Sequence, residues 1–169
     1  TMSVSALTIK SNVGLLKQLT SIVDITVPNT NTKNQYKAIW DTGASGTVIT
    51  QVIVDNLGLI PTGMSIVHTA NGTARQNTYI IDISLNEGIT IKDVTVTCAT
   101  AFSGGCNVLI GMDVISQGDF SITNFNGNTC MSFRKPSMHE IDFCKNPNMK
   151  ANSNPNRGNN FTPPKKKRK

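Results

Sequence analysis

One acidic residue, Asp41, lies in the sequence pattern best suited to catalysis. It follows an apolar segment, residues 38–40 (AIW), and begins the run DTGAS at residues 41–45. A carboxylate at the end of a β-strand has a fixed direction, and Gly43 allows backbone or ligand to approach where a Cβ atom would obstruct it. Taken alone, however, Asp-Thr-Gly favours a surface turn, because Asp, Gly and Ser are common turn residues.

A second segment changes this interpretation. Residues 107–115 (NVLIGMDVI) contain the apolar pair Leu109 and Ile110, followed by Gly111 and a short helix start, and Leu109 lies 68 residues beyond Asp41. The two segments together resemble the retropepsin-like aspartic proteases, a family of single-domain proteases from retroviruses, cells and bacteria. The resemblance is carried by DTGAS and by the Leu-Ile-Gly motif, which stand in the family's order and separation.

The resemblance implies roles for individual residues. Asp41 is expected to be the catalytic carboxylate, with Thr42 and Gly43 supporting the active-site turn and Ser45 contacting the substrate backbone. By the same resemblance, the Thr42 hydroxyl forms a hydrogen bond across a dimer axis. The structural motif beside the turn is expected to consist of Leu109, Ile110 and Gly111.

A hairpin over the substrate, called the flap, is implied by the next segment. Residues 65–81 form two strand-like arms around residues 69–73 (TANGT), where the family places this hairpin. The resemblance therefore implies that Ala70, Asn71 and Gly72 contact the substrate. Closure of such a flap excludes water and supplies backbone hydrogen bonds to an extended peptide.

The run Asp-Thr-Gly occurs once in the chain. Aspartic protease chemistry requires two carboxylates that share one proton, because one acts as a base while the other donates. We therefore expect a twofold-symmetric homodimer in which Asp41 and its symmetry mate form the pair. Asp113 could instead supply the second carboxylate, but its position at a helix start favours a structural role. Many retroviral relatives build a dimer sheet from both chain ends; residues 6–10 and 138–143 could take that place here, or the interface could be a different one.

Other catalytic mechanisms find little support in the sequence. His68 and His139 are the two histidines, 71 positions apart, and neither belongs to an H-x-x-x-H pair. The four cysteines include no C-x-x-C pair, so no metal site is expected, and no cofactor is implied. A Cys-His dyad using Cys98 or Cys106 stays open, although core or loop cysteines are favoured.

The segments around these motifs predict a mainly β fold, because short runs rich in β-branched residues alternate with turn sequences. Strands are predicted at residues 21–27, 36–40, 78–85, 89–99, 119–125 and 129–134, and short helices at residues 50–59, with Thr50 as a cap, and 112–117. With the family resemblance, this order implies a closed retropepsin-like β-barrel with one or two short helices. We expect a single domain that forms the twofold homodimer.

The net charge of +6 is unevenly distributed. Residues 145–169 contain eight basic and no acidic residues, which leaves eight basic and ten acidic residues in the first 144. This final segment has almost no apolar residues, so we predict a disordered basic tail at 145–169, a protease domain at 21–144 and an unassigned N-terminal segment at 1–20. The tail ends in KKKRK, from Lys165 to Lys169. This run resembles a nuclear-import signal, could equally bind nucleic acid, or could only solubilise the chain.

The sequence thus predicts a homodimeric aspartic endopeptidase that binds a protein or peptide substrate in extended form. The alternative is a non-catalytic, dimerising peptide-binding module of the same fold, with the tail serving nucleic-acid binding or nuclear targeting. Neither a membrane-spanning segment nor a secretory signal is visible in the sequence, so no membrane association is expected. We expect an intracellular protein, cytoplasmic or, through the tail, nuclear.

Overall fold

The computed structural model describes residues 3–150, which contain ten strands and two short α-helices. The strands are β1 (Ser5–Lys10), β2 (Thr20–Thr26), β3 (Lys33–Trp40), β4 (Val48–Thr50), β5 (Gly63–Thr69), β6 (Gly72–Asn86), β7 (Ile89–Ala99), β8 (Val108–Ile110), β9 (Asp119–Thr123) and β10 (Cys130–Lys135). The helices are α1 (Gln51–Leu57) and α2 (Met112–Ile115). The chain divides into two compact units, Thr1–Met138 and His139–Lys169, and all of these strands belong to the first. From residue 151 onward, the predicted basic tail lies outside the described residues.

Six strands form a closed barrel. Their order is β2-β3-β8-β4-β7-β6, and β6 pairs back with β2, where Ile83 lies opposite Ile25, to close the ring. Register shifts between β6 and β7 assist closure, because bulges bend a strand. Among the described strands, β5 pairs with β6 alone, so these two extend from the barrel as a hairpin. The expected mainly β fold, with a closed barrel and two short helices, is confirmed.

Alternating side chains supply the core of the barrel. Ile81 and Ile83, alternate residues of β6, are fully buried, as is Ile49 of β4. Full burial of a side chain of this kind stabilises a fold by about 1.5–3 kcal/mol. The helices contribute Ile53 and Val114 to the same core, which explains how two such short helices are held in place.

Strands β1, β10 and β9 form a separate antiparallel sheet in that order. Its inner face is apolar, because Met131 and Phe133 of β10 are fully buried and Ile9 of β1 packs against the same core. Its outer face is polar, and there the hydroxyl oxygens of Thr8 and Ser132 lie 2.9 Å apart. This alternation fixes which face of the sheet covers the barrel.

The structure corrects several local expectations. A strand does form at residues 6–10, beginning at Ser5, but it pairs with β10 of its own chain, and residues 138–143 form no strand. The sequence does not predict β4 or β8 as strands, because three residues are too few for a periodic pattern. Thr50 does not cap α1 with its side chain; its hydroxyl donates to Asn107 Oδ1 at 2.7 Å.

The second unit is described as far as residue 150 and contains a turn around Asp142. The Asp142 carboxylate accepts hydrogen bonds from the backbone N–H groups of Cys144 and Lys145. The Lys145 ammonium also lies 3.3 Å from a Glu140 carboxylate oxygen, an exposed ion pair of the kind that contributes little stability. None of the helices in the described part of the chain has the length and apolar character needed to cross a membrane.

Candidate active site

The two sequence motifs meet where β3 and β8 end. These strands pair in parallel, with Trp40 opposite Ile110, so Asp41 and Gly111 leave the sheet side by side. The Asp41 N–H donates to the Ile110 carbonyl oxygen at 2.9 Å. On its other side, β8 pairs with β4 in the antiparallel sense. Segments that are far apart in sequence therefore fix the start of the Asp41 turn from both sides.

The turn after β3 orients the Asp41 carboxylate through the backbone. Asp41 Oδ1 accepts a hydrogen bond from the Gly43 N–H at 2.8 Å, and the Asp41 carbonyl oxygen accepts one from the Ala44 N–H at 3.3 Å. A Cβ atom on Gly43 would lie 3.1 Å from the same Oδ1, so a side chain there would press against the carboxylate. Asp41 is half-buried, whereas Thr42, Gly43 and Ser45 are exposed. The carboxylate is thus held in place and stays accessible from solvent.

Gly111 occupies the point where the two motifs pack together. A Cβ atom there would lie 2.5 Å from the Gly46 carbonyl oxygen and 3.0 Å from the Ala44 carbonyl oxygen. The next residue, Met112, donates its N–H to the Ala44 carbonyl oxygen at 2.8 Å. Because Gly111 has no Cβ atom, the turn that follows Asp41 packs directly against the start of α2.

Asp113 supports the active-site turn through Thr47. One carboxylate oxygen accepts the Thr47 N–H at 3.0 Å, and the other accepts the Thr47 hydroxyl at 2.7 Å. The same hydroxyl accepts the Gly111 N–H at 3.2 Å. Both oxygens of Asp113 are engaged, in agreement with the structural role expected for it. Thr47 is a site residue that sequence patterns do not single out, because a threonine after a turn has no distinctive spacing.

Trp40 anchors the strand that carries Asp41. Its side chain is 5% exposed, and its Nε1–H donates to Ser21 Oγ at 2.9 Å. The indole stacks on Phe120 of β9, with ring centroids 5.6 Å apart, and lies 5.5 Å from the ring of Phe133 of β10. Aromatic pairs of this kind add about 0.5–1.5 kcal/mol beyond their buried area. Trp40 therefore connects the barrel to the three-stranded sheet immediately before Asp41.

A row of partly exposed apolar side chains lies beside the Asp41 turn. Leu109 lies opposite Ile39 of β3 on one side and opposite Val48 of β4 on the other. These three are partly exposed, although Ile110, the next residue after Leu109, is fully buried. Because alternate residues of a strand face opposite sides, the row lies on the surface of the sheet. Of its three members, the sequence motif includes Leu109 alone.

The three predicted flap residues lie at the tip of the β5–β6 hairpin. Thr69 pairs with Gly72, so Ala70 and Asn71 form a two-residue turn between the strands. Ala70, Asn71 and Gly72 are exposed. Gly72 has a φ of +116°, a conformation that residues with a side chain rarely adopt. A hairpin therefore occurs where the sequence predicts one.

A cavity of about 260 Å³ lies at the base of this hairpin, and Asp41 is not among its lining residues. Its lining comes from α1, β6 and the end of β7: Gln51, Gln76, Asn77, Tyr79, Cys98, Ala99 and Thr100. Burial, assisted by the nearby Asp55 carboxylate, raises the pKa of the Cys98 thiol. Because the thiolate is the reactive form, a raised pKa makes Cys98 a poor nucleophile. This finding disfavours the Cys-His dyad that the sequence leaves open at Cys98, and Cys106 is buried.

The two histidines lie in different units, His68 on β5 and His139 at the start of the second unit. Within residues 3–150, no three His, Cys, Asp or Glu side chains are grouped in a way that could hold a metal ion.

Comparison with known proteins identifies one matching protein-family model, which covers more than half of the chain. Residues 28–117 match the family described as "gag-polyprotein putative aspartyl protease". No curated protein matches the sequence.

Several solved structures are similar to this chain. A retropepsin-like aspartic protease from Rickettsia conorii is 17% identical, with 80% of this chain and 98% of that chain covered and a TM-score of 0.45. The EIAV protease complexed with the inhibitor HBY-793 is 20% identical, with 60% of this chain and 88% of that chain covered and a TM-score of 0.45. The protease of simian foamy virus (mac) is 17% identical, with 57% of this chain and 92% of that chain covered and a TM-score of 0.40.

Proposed function

Because the chain belongs to the family of gag-polyprotein aspartyl proteases and has a retropepsin-like fold, we propose that it is an aspartic endopeptidase acting as a homodimer. The observation that carries this proposal is the Asp41 turn. The Gly43 N–H donates to the partly exposed Asp41 carboxylate, and the Asp41 N–H donates to the Ile110 carbonyl oxygen. Asp113, the acidic residue of the second motif, has both oxygens engaged with Thr47. The second carboxylate would therefore be the partner's Asp41.

The reaction needs one proton shared between the two Asp41 carboxylates. The ionised carboxylate takes a proton from a water molecule as that water attacks the peptide carbonyl carbon, and the protonated carboxyl gives its proton to the carbonyl oxygen. As the C–N bond of the tetrahedral intermediate breaks, the carboxyl that holds the proton from water passes it to the leaving nitrogen, and the other carboxylate takes a proton from a hydroxyl group of the intermediate. No covalent bond forms between enzyme and substrate, and the pKa values of the pair belong to both carboxyls together.

The substrate class follows from the surroundings of the turn. Ile39, Leu109 and Val48 form an apolar row beside Asp41, which suits apolar side chains next to the cleaved bond. The β5–β6 hairpin offers exposed backbone at its tip for pairing with an extended chain. We therefore propose that the substrate is a protein segment in extended form, held by strand-type hydrogen bonds.

The substitution Asp41→Asn tests the proposed activity. It preserves the size of the side chain but removes the shared proton, so cleavage of denatured proteins or a peptide pool at pH 4–7 is expected to fall at least about a thousandfold. Asp24→Asn is the matched control, because Asp24 lies on β2, in a different part of the chain from the turn, and should leave cleavage unchanged. Identical cleavage patterns from wild type and Asp41→Asn would refute the enzyme proposal. Peptide binding without cleavage by the wild type would support the peptide-binding module instead.

A further inference from the structure

Trp40 is held in three directions immediately before Asp41. Its backbone N–H donates to the Leu19 carbonyl oxygen at 2.9 Å, and its indole Nε1–H donates to Ser21 Oγ at 2.9 Å. On the third side, the indole lies on the ring of Phe120, with an angle of 15° between the two ring planes. Because the peptide unit that joins Trp40 to Asp41 is planar and stiff, these contacts limit where Asp41 can lie.

The hydrogen bond of the indole is made away from solvent. Trp40 is 5% exposed and Ser21 is 8% exposed. A buried donor that loses its acceptor also loses the water that would replace it, so the bond resists displacement of the ring. The indole is therefore confined to one orientation.

Phe120 connects the turn to a distant part of the chain. It lies on β9, 79 positions beyond Asp41 in the sequence, and packs against the barrel core although it is partly exposed. The indole of Trp40 also contacts Phe133 of β10, with ring centroids 5.5 Å apart. Two strands of the three-stranded sheet thus contact the indole, so the position of this sheet is transmitted to the residue before Asp41.

The place of Asp41 matters for the proposed reaction, because the two Asp41 carboxylates of the homodimer must lie close enough to share one proton. A reacting group misplaced by about 1 Å can lower the rate about 100-fold. Asp41 follows Trp40 directly, so a rotation of the indole shifts the backbone from which the turn begins. The buried ring therefore bears on the chemistry although it lies outside the reacting groups.

We propose that Trp40 is a positioning residue for Asp41, and that Ser21 and Phe120 act through it by fixing the indole ring. This inference rests on the proposed endopeptidase function and names the residues that set the place of its carboxylate. The three residues act on the turnover of bound substrate and not on its binding. Loss of the positioning should therefore lower kcat and leave KM nearly unchanged.

Hydrogen exchange at the Asp41 amide tests the positioning without any substrate. Phe120→Leu keeps an apolar side chain but removes the flat surface on which the indole lies. It is expected to speed exchange of the Asp41 amide about tenfold, because the bond to the Ile110 carbonyl oxygen would open more often. Ile83→Val is the control for a general loss of core packing, since the fully buried Ile83 lies opposite Ile25 at the closure of the barrel. The most protected core amides report the global stability of each variant.

A second pair of variants tests the hydrogen bond of the indole. Ser21→Ala leaves the buried Nε1–H of Trp40 without its acceptor and is expected to speed exchange of the Asp41 amide about tenfold. Ser21→Thr keeps the hydroxyl group and should return the exchange rate to within about twofold of wild type. Equal exchange rates in Ser21→Ala and Ser21→Thr would contradict a role for this bond.

Cleavage kinetics test the consequence for the proposed reaction, at protein concentrations that saturate activity per chain. Phe120→Leu and Ser21→Ala are expected to lower kcat about tenfold and to change KM less than about twofold, whereas Ile83→Val should leave both near the wild-type values. An equal fall of kcat in Ile83→Val would show that general destabilisation is the cause and would overturn the positioning role.

The outcomes separate the positioning role from the proposed activity. Unchanged exchange of the Asp41 amide in both Phe120→Leu and Ser21→Ala overturns the positioning role, whether or not the protein cleaves peptides. Faster exchange in a protein whose wild type cleaves nothing supports the positioning of Asp41 and removes the catalytic role. Faster exchange with an unchanged kcat in an active enzyme also overturns the proposal, because turnover would then not depend on the indole.

Discussion

Two glycines at the Asp41 turn are in close contact with neighbouring oxygen atoms. Gly43 lies against the Asp41 carboxylate, and Gly111 lies against the Gly46 and Ala44 carbonyl groups. In both places the missing side chain allows a hydrogen-bonded contact that positions Asp41. The conformation of the turn therefore depends on the absence of a Cβ atom at Gly43 and Gly111 as well as on Asp41.

Gly111→Ala is expected to damage both stability and cleavage. The added methyl group would overlap the Gly46 carbonyl, so the turn must shift, at a cost of about 1–3 kcal/mol in the free energy of unfolding. Gly46→Ala is the matched control in the same turn, because a Cβ atom there meets nothing within 4 Å. Denaturant unfolding and peptide cleavage measure both effects. Equal stability and activity of the two variants would show that the turn does not depend on this contact.

Among the elements, β9 is held in position by hydrogen bonds to the carboxylate of its first residue, Asp119. The Asp119 carboxylate accepts hydrogen bonds from Arg134, from the Ser137 hydroxyl and from the Met138 N–H, and thereby fastens β9 to β10 and to the segment after it. Burial alone would raise the pKa of this carboxyl. The bonds from Ser137, Met138 and Arg134 outweigh burial and hold the pKa well below its usual range.

Asp119→Asn is expected to lower stability in a pH-dependent way. Because the pKa is lower in the folded protein than in the unfolded chain, the stabilisation is complete above about pH 5 and is lost as pH falls below about 4 towards the folded value. The variant should therefore be less stable than wild type by about 1–2 kcal/mol at pH 6, with a smaller difference at pH 3. Glu87→Gln, at an exposed turn, serves as the control in thermal unfolding. A difference that stays constant between pH 6 and pH 3 would contradict this role of the charge.

Sequence patterns predict the elements that are long or carry a motif, and they fail for the rest. The strands through β6 and β7 follow from runs of β-branched residues, and the position of Asp41 beside Gly111 follows from two spaced motifs. The three-residue strands β4 and β8 have no period to detect. The pairing of β1 with β10 joins residues more than 100 positions apart, and the Trp40–Phe120 stack likewise depends on tertiary contacts that no local pattern encodes.

For the whole molecule, one chain supplies half of the proposed catalytic apparatus. The closed barrel and its second sheet are complete within residues 5–135, yet the proposed chemistry needs a carboxylate from another copy. Activity per chain should therefore fall on dilution, in step with dissociation of the dimer. In the proposed mechanism only the dimer has both carboxylates, so the fraction of active enzyme depends on the free energy of association.

The basic run at the end of the chain leads to a separate prediction about partners. If the run from Lys165 to Lys169 binds nucleic acid, deletion of residues 161–169 should abolish salt-sensitive retention on immobilised nucleic acid. Deletion of residues 151–159, which removes a similar length but one basic residue, is the control and should keep most of the retention. Peptide cleavage should be the same for both, since the run lies outside the barrel sequence. Unchanged retention after the first deletion would rule out nucleic-acid binding by this run.

The contact between Trp40 and Phe120 has an optical consequence. Trp40 is the one tryptophan of the chain and is 5% exposed; it immediately precedes Asp41 and stacks on Phe120 of β9. All indole emission of this protein therefore originates at that junction. A shift of the emission to longer wavelength would signal that water has reached the junction, so the intrinsic fluorescence of the unlabelled chain follows the state of its active-site support.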